Sequence, residues 1–390
     1  MNKCVGRILI LYGDYLKNEE HFDMYTQIMV GYGSPLNKLF VDNMTIDWGT
    51  VNWNYLLAIS SQNDVEYTLC NSILHDSNVE LPQDIRRKII EIQKYNELEL
   101  SRYNILIRES HDLLESNNIK YAFIKTILPL PYAIHEVDIL VNRIMPSWNI
   151  LLEHNFCFDD NIPHDKFGPQ GRFVLKSPYS MSIDLHKEIS WLGQQYVDTN
   201  SVIRRRKRKD IQNFWVFIPS VEDELLTVIA HSLFQHHYLT FNDFFQICEL
   251  LKNSNIDFSY MYAEAEKYGW GSALEVMLSC IISEYNALTV NYSSQQIKIP
   301  DFQSHQNSLN TFRIKSMDRA IFIPFFIVLQ VYLKRLIRKN SKKDVLYSIR
   351  DNLFDIVATL YRSMRYAHKG TLAFNPIIPH IKKIIYNKSH

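Results

Sequence analysis

Three acidic residues in two short stretches of the sequence have the types and spacing that metal chemistry needs. The first stretch starts at Glu136 and reads Glu-Val-Asp-Ile-Leu-Val, and the second ends at His186 and reads Ser-Ile-Asp-Leu-His. Side chains alternate between the two faces of a β-strand, so each stretch directs its polar residues to one side and its apolar residues to the other. Carboxylates on adjacent strands repel one another unless a cation lies between them, and hard divalent ions such as Mg²⁺ take oxygen ligands. We therefore predict that Glu136, Asp138 and Asp184 bind a divalent metal, Mg²⁺ or Mn²⁺.

A lysine upstream of these stretches extends the pattern. Lys125-Thr126 is followed by Glu136-x-Asp138 with apolar residues after it, and later by the strand that carries Asp184. This order resembles the signature of the nucleotidyltransferase fold, in the polymerase-beta-like superfamily, and more narrowly that of the uncharacterised nucleotidyltransferase family of prokaryotes. That family typically reads Lys-Gly, then Asp-x-Asp after a spacer, and later Val-Asp-Leu-His. Thr126 stands here in place of the usual glycine, and Glu136 in place of the first aspartate.

The resemblance extends beyond these motifs to about residues 44–280. Upstream, the segment from Asp47 to Pro82 is similar to the family's helical N-terminal part. Downstream, the segment 219–226, with His231 and Asp243 after it, is similar to the helical C-terminal part. The implied fold is an α+β nucleotidyltransferase-type mixed sheet with helices, flanked by helical regions at both ends.

The resemblance also implies an activity. The enzyme would move a nucleoside monophosphate from a nucleoside triphosphate such as ATP to a hydroxyl acceptor, with Glu136, Asp138 and Asp184 as catalytic residues and metal ligands. Asp184 is the acid best placed to deprotonate the acceptor. Phosphoryl transfer depends on positioning and charge compensation, so Lys125 is the implied phosphate contact. Thr126 would add its hydroxyl and backbone N–H to the nucleotide site, although a side chain here keeps a phosphate farther from the backbone than glycine does.

Two questions stay open at the level of the sequence. His186 is either a nucleotide-binding residue, which orients Asp184 or touches the base, or a half-buried histidine with structural hydrogen bonds. The departures at Thr126 and Glu136 also fit a catalytically inactive relative that binds a nucleotide, RNA or a partner protein. The active and inactive hypotheses differ in whether Asp138 and Asp184 are needed for turnover.

A run of six basic residues separates the predicted catalytic strands from the helical region that follows. Its members are Arg204, Arg205, Arg206, Lys207, Arg208 and Lys209. Such a cluster suits phosphates or an RNA backbone, and an RNA-binding function predicts salt-sensitive affinity that survives loss of the acids. The alternative is a solvated linker.

The elements predicted around the candidate site divide the chain into five regions. Apolar residues at helical spacing predict a long helix over 84–114. Strands are predicted over 120–125, 137–141, 172–176 and 181–186, paired mostly antiparallel with helices to one side, as in an α+β sheet. The regions are an N-terminal appendage (1–43), a helical N-terminal region (44–118), the nucleotidyltransferase core (119–218), a helical subdomain (219–310) and a basic helical C-terminal region (311–390).

Composition and charge favour a globular cytoplasmic protein. Of the 390 residues 46% are hydrophobic, and the net charge is zero, so no overall field attracts the chain to nucleic acid or membrane. Residues 311–390 nonetheless hold 16 Lys and Arg against 4 Asp. The five cysteines form no close-spaced pair, which disfavours a zinc site or a disulfide framework. The apolar segment 320–333 is too short to cross a bilayer and contains Pro324, so we predict a packed helix there and no transmembrane span.

Overall fold

The residues described by the computed structural model cover most of the chain between positions 53 and 289. They are 53–62, 64–75, 80–130, 132, 136–158, 172–179, 181–191, 194–211, 213–236, 238–252, 255–289, 297, 316–317 and 320–322. All of them belong to one compact unit. The predicted appendage 1–43 and most of the predicted basic region 311–390 lie outside the described residues. The boundaries between the five predicted regions stay predictions.

Helices dominate both ends of this part of the chain, and strands are concentrated in its middle. The helices are α1 (Trp53–Gln62), α2 (Glu66–His75), α3 (Gln83–Ser116), α4 (Ile144–Glu153), α5 (Thr199–Arg205), α6 (Val221–Ala230), a π-helical segment (His231–His236), α7 (Phe241–Lys252), α8 (Phe258–Lys267) and α9 (Gly271–Thr289). The strands are β1 (Tyr121–Phe123), β2 (Glu136–Val141), β3 (Cys157–Phe158), β4 (Arg172–Lys176), β5 (Ser182–His186), β6 (Ile189–Trp191), β7 (Gln194–Val197), β8 (Lys207–Ile211), β9 (Phe214–Ile218), β10 (Tyr238–Leu239), β11 (Ser316–Met317) and β12 (Ala320–Phe322). This mixture confirms the α+β prediction.

A five-stranded mixed sheet lies at the centre, in the order β1-β2-β5-β4-β3. Its outer pairs are antiparallel, as predicted, whereas the central strands β2 and β5 run parallel. Alternate residues of these two strands, including Val137, Ile139, Ile183 and Leu185, point into the hydrophobic core. The polar residues between them therefore share the opposite face of the sheet.

The long helix α3 covers the core side of the sheet. It begins directly after Pro82, a residue type that suits the start of a helix. It extends slightly beyond both ends of the predicted helix. Its C-terminal half buries Tyr103, Leu106 and Leu114 in the same core as the strands. Burial of these side chains fixes the helix against the sheet, because each removes a large apolar surface from water.

The basic run does not form a linker, and that alternative is wrong. Arg204 and Arg205 end α5, and Lys207 begins β8, which pairs with β9 in an antiparallel hairpin. The first four residues of β8 are all polar and exposed. The sequence of this strand therefore lacks the alternation of apolar and polar residues by which a strand is predicted.

The helical subdomain starts with a well-capped helix. The Ser220 hydroxyl accepts a hydrogen bond from the backbone N–H of Asp223, and the three acids of the first turn of α6 complement the helix dipole. Helix α7 begins with a capping box, in which the Thr240 hydroxyl and the Asp243 carboxylate each accept from the other's backbone N–H. The predicted packed helix from Ala320 begins instead as strand β12, and the rest of that segment lies outside the described residues.

Candidate functional site

The parallel pairing of β2 and β5 brings two of the predicted acids directly opposite each other. Asp138 is the register partner of Asp184, and both side chains are buried. His186 lies two residues further along β5 and is also buried. One ligand atom from each of these three residues lies within 4.8 Å of the others, a spacing at which they could hold a metal ion. Strand alternation and register together therefore build a compact Asp-Asp-His group.

Asp138 is the most heavily contacted member of this group. Its Oδ1 atom lies 2.6 Å from His186 Nε2 and 3.2 Å from Lys125 Nζ. The lysine donates to the carboxylate, and the histidine contact orients the imidazole. The predicted residues Lys125 and His186 are thus brought to the acids.

Glu136 lies one alternation before Asp138, at the start of β2 and opposite Ser182. It is half-buried, and it does not belong to the group of Asp138, Asp184 and His186. Its predicted role as a metal ligand stays a prediction.

Thr126 uses its hydroxyl inside the protein. The oxygen accepts a hydrogen bond from the backbone N–H of Asp138 at 2.9 Å and donates to the carbonyl of Ile124, also at 2.9 Å. The side chain thereby joins the loop after β1 to strand β2. The left-handed backbone conformation falls on Lys125 (φ 53°) and not on Thr126, so the fold does not need glycine at position 126.

The loop that carries Lys125 is held by two helices, α3 and α7, and by Tyr132 of the loop itself. The Tyr103 hydroxyl of α3 donates to the carbonyl of Thr126 at 2.7 Å, and the Tyr132 hydroxyl donates to the carbonyl of Lys125 at 2.8 Å. The buried Gln246 amide of α7 donates to the carbonyl of Leu130 and accepts from its N–H. These polar groups are buried, and burial raises the pKa of both tyrosines, so the hydroxyls stay protonated as donors.

Lys125 is also contacted by α6 and the π-helical segment. Glu224 Oε1 accepts from the Lys125 backbone N–H at 2.6 Å, and His231 Nδ1 lies 3.2 Å from Lys125 Nζ. Burial raises the pKa of the Glu224 carboxyl to about 8, although Lys125 opposes the shift. No role was predicted for Glu224, which is the last of three consecutive acids in the first turn of α6. Acids are common at the start of a helix, so the sequence holds no signal that separates Glu224 from its two neighbours.

A cleft opens beside this group of residues. It encloses about 370 Å³ of space outside the protein atoms, including its open mouth. Its wall includes Lys125 and His186 from the sheet side and Thr227, His231 and Gln235 from the helical side. The cleft therefore connects His186 and Lys125 with α6 and the π-helical segment.

The basic run divides into two parts. Arg205 pairs with Glu222 at 2.7 Å and with Asp223 at 3.1 Å, so its charge is neutralised within the fold. The guanidinium groups of Arg206 and Arg208 lie over the rings of Phe217 and Trp215. Exposed basic side chains remain at Arg204 and along β8, at Lys207, Arg208 and Lys209.

Comparison with known proteins identifies the class. The sequence matches the model of a family described as uncharacterised nucleotidyltransferase over residues 49–283, which is more than half of the chain. The chain therefore belongs to this uncharacterised nucleotidyltransferase family, and the family resemblance expected from the motifs is confirmed. No curated protein matches the sequence. Within the described ranges, no helix has the length and apolar character needed to cross a membrane.

Proposed function

We propose that this protein is a metal-dependent nucleotidyltransferase of the cytoplasm, which moves a nucleoside monophosphate from a nucleoside triphosphate to a hydroxyl acceptor. The observation that carries the proposal is the pairing of Asp138 with Asp184 across two parallel strands, with His186 beside them. Family membership supports a nucleotide substrate.

The donor set fits a divalent cation. Asp138 and Asp184 offer carboxylate oxygens and His186 offers a ring nitrogen, in a buried setting where two negative charges side by side need compensation. A cation held there would lower the pKa of the acceptor hydroxyl and stabilise the charge on the attacked phosphate. Mg²⁺ and Mn²⁺ are both candidates, and the nitrogen ligand favours Mn²⁺, because Mg²⁺ takes oxygen ligands. We propose Glu136 as an additional ligand from the more exposed end of β2.

Asp184 is assigned the proton of the acceptor hydroxyl. Asp138 is the acid that contacts Lys125 and His186, and the family resemblance implies Asp184 as the acid best placed for this deprotonation. As Asp184 takes the proton, the acceptor oxygen bonds to the α-phosphorus. The bond from that phosphorus to the bridging oxygen breaks, and its electron pair leaves with pyrophosphate.

Lys125 is assigned to the phosphates. Its ammonium group lies at the wall of the cleft and 3.2 Å from Asp138, so it can meet the negative charge of a triphosphate next to the metal ligands. Lysine acts in such a position as a point charge. Thr126 fixes the loop through its hydroxyl, which leaves its predicted contact with the nucleotide to its backbone.

The test is calorimetric binding of nucleoside triphosphates, ATP first, with and without Mg²⁺ or Mn²⁺. The variants are Asp138→Asn and Asp184→Asn, which keep the shape and remove the charge. We expect metal-dependent binding by the wild type that both variants lose, followed by transfer of labelled nucleotide to an acceptor. A folded wild type that binds no nucleoside triphosphate under any of these conditions overturns the proposal.

A second candidate function is an inactive nucleotide-binding relative. The observation that favours it is the position of Glu136 outside the Asp-Asp-His group, which leaves two carboxylates where the resemblance implies three. This candidate predicts that the wild type binds ATP in the calorimeter but transfers no labelled nucleotide to any acceptor.

RNA binding through the exposed part of the basic run makes a different prediction. Charge reversal at Lys207 and Lys209 would remove a salt-sensitive RNA affinity that Asp138→Asn leaves intact.

A further inference from the structure

Lys125 is held by the helical subdomain at both its backbone and its side chain. We propose that Glu224 and His231 are positioning residues that fix Lys125 at the Asp-Asp-His group, so that the helical subdomain builds half of the phosphate-binding part of the site. The inference rests on the proposed function for the role of Lys125, but the clamp itself can be tested without a nucleotide.

The backbone of Lys125 is in a conformation that it would not adopt by itself. Its φ of 53° lies in the left-handed region, which is unfavourable for a residue with a Cβ atom. The Glu224 carboxylate accepts the Lys125 N–H at 2.6 Å, and the Tyr132 hydroxyl donates to the Lys125 carbonyl at 2.8 Å. The backbone N–H and the carbonyl of Lys125 are therefore both hydrogen-bonded. A strained backbone conformation persists where surrounding contacts of this kind determine it.

The ammonium group of Lys125 is placed between two partners. Nζ lies 3.2 Å from Asp138 Oδ1 and 3.2 Å from His231 Nδ1. An ammonium group only donates, so His231 must accept through Nδ1 and carry its proton on Nε2. The histidine thereby prevents the lysine from turning away from the acid without adding a second positive charge.

The cost of burying Glu224 indicates that this contact has a purpose. The side chain is only 7% exposed, and its Oε2 atom is buried without a hydrogen-bond partner. A buried acid with one unpartnered oxygen destabilises a fold unless the other oxygen makes a valuable contact. Here that contact is the N–H of the strained lysine, and burial raises the pKa of the acid to about 8.

His231 begins the π-helical segment that follows α6. A π-helical turn is rare and commonly marks a functional site. His231 and Gln235 of this segment both line the cleft that also contains Lys125 and His186. The irregular turn thus directs polar side chains towards the lysine from the helical side.

The first experiment measures how fast Lys125 is acetylated in the whole protein, by mass spectrometry after brief exposure to an acetylating reagent. Lys252 serves as the internal reference, because its side chain is 15% exposed against 13% for Lys125 and it pairs with Glu249, which is unchanged in every variant. The rate ratio of the two lysines then cancels differences in reagent and pH.

The variants separate positioning from general stability. We expect Glu224→Ala and His231→Ala to raise the acetylation of Lys125 relative to Lys252 roughly tenfold, as expected for loss of a hydrogen bond that involves a charged group. Glu224→Gln and His231→Asn keep an acceptor in place and should stay near the wild-type ratio. Asp243→Asn is the matched control, since it alters another buried acid, the one that caps α7. Thermal melting checks that each variant is folded.

The second experiment compares two ligands on the same variants. Glu224→Ala and His231→Ala should weaken ATP binding about tenfold and leave the Kd for Mn²⁺ alone unchanged, because the metal ligands are untouched. Unaltered Lys125 acetylation in folded Glu224→Ala and His231→Ala overturns the positioning roles, and so does equal loss of Mn²⁺ and ATP binding. A wild type that binds no ATP overturns the proposed function instead, while the acetylation ratios still decide the inference. If Glu224→Ala does not fold, His231→Ala and His231→Asn decide it.

Discussion

Two buried acidic clusters of this protein are built in different ways. Around Asp223, Arg205 supplies an ion pair at 3.1 Å, Ser220 a hydrogen bond at 2.8 Å and Tyr260 a hydrogen bond at 2.6 Å, and the Arg205 guanidinium stacks on the Tyr260 ring. Around Asp138, a second acid, Asp184, lies directly opposite, and a cleft opens nearby.

From this difference we infer that the Asp223 cluster is structural and that the Asp138 cluster is the proposed functional site. The Asp223 cluster joins α5, α6 and α8, and a positively charged partner with good geometry compensates its buried charge. In the second cluster the two facing carboxylates, Asp138 and Asp184, have Lys125 and His186 as their neighbouring basic groups. Two buried acids that face each other, beside a histidine and a lysine that line a cleft, are typical of a site that binds a cation.

The largest expected effect falls on turnover. Asp138→Asn and Asp184→Asn should each lower nucleotide transfer by about 10³-fold, because they remove ligands of the ion that stabilises several kcal/mol of transition-state charge. The free energy of unfolding should fall by less than about 1 kcal/mol, since each change relieves repulsion between the acids. Transfer assays and urea unfolding measure the two quantities. A large loss of stability without a loss of transfer would make this cluster structural.

At the Asp223 cluster we expect a large loss of stability and no loss of metal binding. Asp223→Ala should lower the free energy of unfolding by about 2–4 kcal/mol, because it removes one of the two acids that pair with Arg205 and leaves the Ser220 and Tyr260 hydroxyls without the acceptor they share. The figure is below that of a fully buried pair, since Arg205 is partly exposed and water screens its charge. Binding of Mn²⁺ to this variant, measured at a temperature where it is folded, should equal that of the wild type. Impaired Mn²⁺ binding would remove the distinction between the clusters.

Metal preference sharpens the description of the Asp138 cluster. We expect Mn²⁺ to bind more tightly than Mg²⁺, and His186→Ala to weaken Mn²⁺ roughly tenfold while Mg²⁺ changes less, because only the transition ion gains from a nitrogen ligand. Calorimetric titration of each ion measures both effects. If the two ions lose affinity equally, His186 orients Asp138 and does not bind the metal.

A further expected effect is a pH dependence that comes from Glu224. Its pKa is raised from 4.5 to about 8, so the folded protein holds a proton over a range in which the unfolded chain has released it. The free energy of unfolding therefore falls as the pH rises from about 4.5 to about 8. Below and above that window the contribution of Glu224 does not change with pH. Glu224→Gln cannot titrate and removes this contribution.

Urea unfolding of the wild type and Glu224→Gln at about pH 5 and about pH 8 measures the difference. The stability advantage of Glu224→Gln over the wild type should be larger at the higher pH. Asp243, whose pKa is raised to about 6, titrates in both proteins and cancels in the comparison. Stability curves that stay parallel across this range would contradict the raised pKa.

Strand patterns made much of the sheet and of the candidate site predictable. Alternation predicts that Asp138 and Asp184 share a face of the sheet with His186, and the order of motifs indicates the family. Alternation cannot predict register, however, and register decides that Asp138 lies opposite Asp184 while Glu136 faces Ser182. A shift of pairing along the strands would have selected a different pair of acids.

The contacts from the helical subdomain could not be predicted from the sequence. Glu224 and His231 lie far along the chain from Lys125, and only tertiary packing brings them together. The hairpin of β8 and β9 was missed because four exposed residues in a row carry no strand period. Tyr103 and Gln246 resemble ordinary core residues in the sequence, and the structure shows that they bind the carbonyl groups of the lysine loop.

Electron paramagnetic resonance of Mn²⁺ bound to the purified protein tests directly whether Asp138 and Asp184 bind a metal. We predict one Mn²⁺ site that is lost in Asp138→Asn and Asp184→Asn, with a nitrogen coupling that disappears in folded His186→Ala. Failure of the folded wild type to bind Mn²⁺, or binding that both aspartate variants retain, would contradict the assignment of Asp138 and Asp184 as a metal centre.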